Sequence, residues 1–257
     1  MKWLFRRLPR MFRESATRSA LFTTRFRSSM STTTNTPSIK KKNLTKSKRK
    51  ILMVHGYGQT ANSFRRKTGA IRRSVKSMGE FDFIEATLTA PPREGLEEEH
   101  DGKAWWLWNH SHTNPINTGW KESLEQIILT LEQHGPYDAI FGFSQGASMV
   151  SLVVAEQERR NTQWFRHACF VGGFLPRMPE MRNAIVAGLQ DTTIPTWHSY
   201  GASDTIIPSS MSVELVEAMG KHATVCVHPG GHLVSSSKET RSSFKQWMKS
   251  LEEDGNC

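Results

Sequence analysis

The chain has 257 residues, enough to bury a sizeable core as one large domain or two small ones. Hydrophobic residues make up 37% and charged residues 23%, and no run of about 18 consecutive apolar residues occurs, so no transmembrane segment is expected. The net charge of +10 is unevenly spread: residues 1–50 hold 15 Lys and Arg against Glu14 alone, whereas residues 51–257 hold 19 against 23 Asp and Glu. The basic character therefore belongs to the first fifty residues and says nothing of what the remainder binds. Cys169, Cys226 and Cys257 cannot all pair within the chain, and no CxxC or Cys/His cluster offers a metal site. Reduced thiols of an intracellular compartment are the expectation.

Residues 1–47 read as a basic, Arg/Ser-rich targeting segment and disordered linker. On a helical wheel Leu4, Phe5, Leu8, Met11 and Phe12 share one side and Arg6, Arg10 and Arg13 the other. That amphipathic, acid-poor pattern fits a mitochondrial transit peptide, while arginines interrupt every apolar stretch a secretory signal would need. The competing readings are a solvated arm with no address, in a cytoplasmic protein, and a phosphate-binding lysine run from Lys40 to Lys50. Without interleaved aromatics or an RNA-binding motif, no specific nucleic-acid partner is expected.

Residues 48–254 read as a single domain of alternating strands and helices. Ile51–Val54 is a buried-strand run ending in His55-Gly56-Tyr57-Gly58, and Asn62 is placed to cap a helix reaching about Met78. Phe81–Ala86 is the next strand. A long polar excursion from about Thr89 to Gly119 is a lid or rim candidate. Trp120–His134 is helical, with Leu124, Ile127, Ile128 and Leu131 at core spacing, and Gly135-Pro136 ends it. Then follow a strand at Ala139–Phe143, a helix from Gln145 to about Gln157 and a strand at His167–Val171. The order closes with a strand at Thr196–Tyr200, a helix at about Ser210–Met219, a strand at Thr224–Val227 and a helix at about Lys238–Leu251. This alternation implies a mainly parallel central sheet with helices on both faces, and ligands bound beyond the carboxyl ends of its strands.

Gly142-Phe143-Ser144-Gln145-Gly146 falls between a strand and a helix, where G-x-S-x-G denotes a nucleophile elbow. The glycines keep bulk from a sharp turn, and the helix N-terminus favours negative charge developing beside Ser144. A serine needs a base, and the base an orienting carboxylate; in folds built on this elbow the chain order is Ser, acid, His. His232 in His228-Pro229-Gly230-Gly231-His232 can swing over the sheet end, whereas His228 is at the strand end and His222 precedes the strand. Asp204 follows the penultimate strand, and Asp191 lies at its wrong end. The expected catalytic triad is Ser144, Asp204 and His232, with the backbone amides of Tyr57 and Gln145 as oxyanion hole. His55 precedes the nucleophile and is assigned a supporting role in its loop. Trp105 and Trp106, with Trp108, are candidates for a substrate pocket or for anchoring the excursion. Phe143, Met149, Leu175 and Met178 are further apolar candidates.

These segments together resemble the FSH family of serine hydrolases, which includes a human ovarian-cancer-associated member. The stretches that carry the likeness are Lys50–Gln59, Lys67-Thr68-Gly69, Trp105-Trp106, Gly135–Asp138, Gly142–Ala147, Tyr200–Asp204 and His228–His232. The resemblance implies an α/β-hydrolase fold and serine esterase activity: hydrolysis of a carboxylic ester through an acyl-enzyme, with no metal and no organic cofactor. A small-molecule acyl ester or thioester is the implied substrate. An acyl thioesterase acting on acyl-CoA or acyl-protein, and a noncatalytic α/β-hydrolase scaffold, remain the alternatives.

Overall fold

The computed structural model describes residues 47–91, 101–108, 117–190 and 192–253, so the expected targeting segment lies outside the described residues. Six parallel strands make the central sheet: β1 (Arg49–Val54), β2 (Gly79–Ile84), β7 (Ala139–Phe143), β8 (His167–Val171), β9 (Thr196–Gly201) and β10 (Ala223–His228). Their order across the sheet is β10-β9-β8-β7-β1-β2. The chain winds outward from β1 to β2, then returns to the other side of β1 as β7. The strand order therefore reverses between β1 and β7, and the crevice where ligands settle in such sheets opens there.

Strand side chains alternate between two cores, as the pleat requires. Ile51, Met53, Phe141 and Cys169 face one side with Phe64, Ile71, Phe244 and Met248. These last come from α1 (Ala61–Lys67), α2 (Gly69–Ser74) and α7 (Lys238–Glu253). Leu52, Val54, Ile140 and Phe170 face the other side, under α3 (Trp120–His134), α4 (Gln145–Arg160), α5 (Pro179–Leu189) and α6 (Ser209–Met219). Both faces of the sheet being covered explains why β7 and β8 are buried at every position.

Three details differ from the sequence expectation. Thr60, not Asn62, caps the first helix, its hydroxyl accepting from Ser63 N while Ser63 Oγ accepts from Thr60 N. That helix does not run to Met78: the Thr68 hydroxyl bonds back to Phe64 O, ending α1, and α2 starts afresh and stops at Ser74. Helix α5 is an addition, opened by Pro179 at its start and buried along Met181, Ile185 and Leu189. Parts of the excursion form short antiparallel pairs, β3 (Leu88–Thr89) with β4 (Lys103–Ala104), and β5 (Leu107–Trp108) with β6 (Asn117–Thr118).

His198 lies buried in β9, stacked on Phe170 at 4.7 Å between ring centres, with Nε2 3.0 Å from Thr196 Oγ1. Burial pushes its pKa down from 6.5 to about 3. The unfolded chain therefore binds the extra proton between those values, so this histidine's contribution to stability is complete above about pH 6.5 and is lost as pH falls towards 3. Urea unfolding midpoints should fall between neutral pH and pH about 5, and His198→Gln should flatten that fall.

Candidate active site

The site is built on a strained turn between β7 and α4. Ser144 has φ 54° and ψ −120°, outside the ordinary basins of an L-residue. Such a conformation costs about 1–3 kcal/mol and persists only where the surroundings enforce it. Here α4 is buried from Gln145 through Ala155, and Ser144 N donates to Val171 O at 2.8 Å. The glycines of the elbow are required by close approach. A Cβ on Gly146 would lie 2.3 Å from His55 O, and one on Gly142 would lie 2.5 Å from Ala147 Cα.

The loop after β10 carries His232 across the sheet end. Its Nε2 is 2.8 Å from Ser144 Oγ and its Nδ1 2.7 Å from Asp204 Oδ2. Asp204 is held in turn: its Oδ1 accepts from Ile206 N and Ile207 N, both at 2.9 Å. With Nδ1–H donating to the Asp204 carboxylate, Nε2 is left as the acceptor for the Ser144 hydroxyl. The imidazole rests between Phe143, 5.0 Å away, and Gly172, where a Cβ would come within 3.0 Å of His232 Cε1. Gly172, at φ 55°, was not singled out in the sequence, although the Gly172-Gly173 pair directly after a strand marks it.

The other candidates fall elsewhere. His228 is buried at the end of β10, and its Nε2 has no hydrogen-bond partner among the described residues. Burial pushes its pKa down, and nearby Asp204 acts in the opposite sense. His222 stands in a 3-10 turn before β10, and Asp191 lies outside the described residues. His55 is fully buried; its Nδ1 donates to Gly56 O at 2.8 Å and its Nε2 accepts from Ala86 N at 3.1 Å. Burial holds its pKa below the ordinary value, so it is a neutral brace for the β1 loop. In that loop Gly56 N donates to Gln59 Oε1 and Gly58 N to Lys103 O, while Tyr57 faces the cavity beside Gln145.

Above Ser144 opens a cavity of about 1230 Å³. Trp106, Trp108, Phe143 and Met178 line it. Trp105 does not, which corrects its assignment to a substrate pocket: it is fully buried, with Nε1 donating to His55 O and its carbonyl accepting from Ser123 Oγ. Met149 and Leu175 are likewise core residues. The neighbouring tryptophans are both buried in one core, but only Trp106 reaches the cavity wall. The Gln145 side chain fixes that division, accepting from Trp105 N and donating to Trp106 O, both at 2.8 Å. Gln145→Leu should leave both groups unpaired and lower stability by about 1–3 kcal/mol in urea denaturation.

A doubly covered parallel sheet whose central strand ends in this serine turn defines an α/β-hydrolase. Among solved structures the chain resembles SOBER1 of Arabidopsis thaliana, with a TM-score of 0.58 and 17% identity, covering 80% of this chain and 100% of that one. It also resembles acyl-protein thioesterase 2 of Zea mays, with a TM-score of 0.57 and 16% identity, covering 79% and 94%. The sequence pattern of the family described as serine hydrolase (FSH1) matches residues 44–244, and the chain belongs to that family. Its relatives include esterase OVCA2 of Danio rerio, 33% identical over 78% of this chain and 96% of that protein. Esterase C25G4.2 of Caenorhabditis elegans is 29% identical over 79% and 93%.

Proposed function

We propose that this serine hydrolase cleaves carboxylic esters through an acyl-enzyme on Ser144. The observation that carries the reading is the hydrogen-bonded run from Ser144 Oγ through His232 to Asp204, set at the base of a large, partly apolar cavity. In this reading His232 Nε2 takes the Ser144 proton as Oγ attacks the ester carbonyl. The carbonyl π electrons move onto oxygen, and the amides of Tyr57 and Gln145 receive the oxyanion, each such donor being worth about 3–4 kcal/mol in a related mechanism. Collapse expels the alcohol, which takes the proton back from His232. Water, deprotonated by the same nitrogen, then attacks the acyl-enzyme, and Ser144 leaves with that proton to release the acid. Asp204 keeps the imidazole in one tautomer and stabilises the imidazolium, its own carboxylate fixed by the Ile206 and Ile207 amides.

A fluorescent fluorophosphonate should label the native full-length chain and fail on both Ser144→Ala and heat-denatured protein. A folded chain that takes no label would sink the proposal. Gly172→Ala, whose Cβ meets the ring at 3.0 Å, should push the imidazole off Ser144 and lower kcat/KM for a p-nitrophenyl ester by roughly 10²-fold, the scale of a misplacement of about 1 Å, with a lowered urea midpoint from the positive φ but a native circular dichroism spectrum.

A further inference from the structure

The cavity above Ser144 has a one-sided charge. Among its described lining residues Lys67 and Arg177 are cations, and none is Asp or Glu. Neither has a carboxylate partner among the described residues. The strand order separates them: Lys67 ends α1, which follows β1, and Arg177 lies between β8 and α5. Strands β1 and β8 flank β7, so the two cations stand on opposite flanks of the strand that carries Ser144.

Lys67 also continues a basic surface. Residues 61–78 hold Arg65, Arg66, Lys67, Arg72, Arg73 and Lys76 with no acid, within a body where acids outnumber cations. The crowding is close: after burial, the charges of Arg65 and Arg73 are what lower the pKa of Arg72. Only Lys67 of this run lines the cavity, but concentrated like charge nearby in the chain costs stability through self-repulsion and raises the local concentration of an anion. Ile206, Ile207, Met211 and Leu233 supply apolar lining in the same cavity.

We propose that the substrate is an ester that carries an anionic group, a carboxylate or a phosphate, beside an apolar chain, and that Lys67 and Arg177 receive the anion. This rests on the reading of the site as an esterase. Arg177 offers the anion a planar fork of donors and Lys67 a point charge, and charge-assisted contacts of this kind are stronger than neutral ones.

The test compares p-nitrophenyl hexanoate with the mono-p-nitrophenyl ester of adipic acid, of equal chain length with a terminal carboxylate, and with its ω-phosphono analogue. Calorimetry on the full-length Ser144→Ala chain reads binding without turnover. Both anionic esters, or one of them, should bind about three- to tenfold more tightly than the neutral ester, and the better of the two identifies the anion. Added Lys67→Met or Arg177→Gln should remove that preference, Lys67→Arg should keep it, and salt should weaken it. Equal binding of all three esters, or a preference undiminished in both variants, would overturn the inference. Absence of turnover of any ester by the Ser144 chain would instead sink the esterase reading, while the calorimetry still decides the anion preference.

Discussion

Everything at the site depends on the backbone of Ser144 being held where an L-residue does not rest. The φ of 54° turns the chain from β7 into α4 within a single residue, and the strain is sustained by burial of the helix that follows. The turn closes because Gly146 lies against the carbonyls of Val54 and His55 at the end of β1. One contact between two backbones thus brings the β1 loop and the elbow together, and with them Tyr57 and Gln145 at one wall of the cavity. His232 reaches that place only across Gly172, which has no side chain to block it.

The sheet was readable because parallel strands covered on both faces leave apolar runs of strand length, as at Ala139–Phe143 and His167–Val171, with helical spacing between them. Ser144, Asp204 and His232 could be singled out because topology alone puts their loops at one end of the sheet, and the structure brings the three within hydrogen-bonding distance. What could not be read depended on side-chain direction. Trp105 and Trp106 are adjacent in a short irregular stretch, where no period says which of the two buried rings reaches the cavity. The break at Thr68 turns on one hydroxyl choosing a backbone carbonyl, and α5 hid behind two prolines and a sparse apolar face. The amides that hold Asp204 lie two and three residues on, a local bond for which the residue type itself is the signal in sequence.

Charge is the other organising feature. The overall value of +10 conceals an acidic body, and within that body α1 and α2 hold a run of cations of which Lys67 lines the cavity. A strained turn supplies a positioned hydroxyl, the sheet end supplies the histidine hydrogen-bonded to it, and the walls supply apolar area and positive charge. Each comes from a different strand-to-helix connection, so substrate preference can vary without touching the turn.

In the proposed reaction Oγ of the strained Ser144 is the atom that takes the acyl group. The most direct measurement is acid-quench trapping: full-length protein mixed with excess p-nitrophenyl ester, stopped within the first turnovers, digested and mapped by mass spectrometry. An acyl adduct is expected on the peptide carrying Ser144, formed in step with a burst of p-nitrophenol. Undiminished turnover in the Ser144→Ala chain, with no adduct on that peptide in the native one, would contradict it.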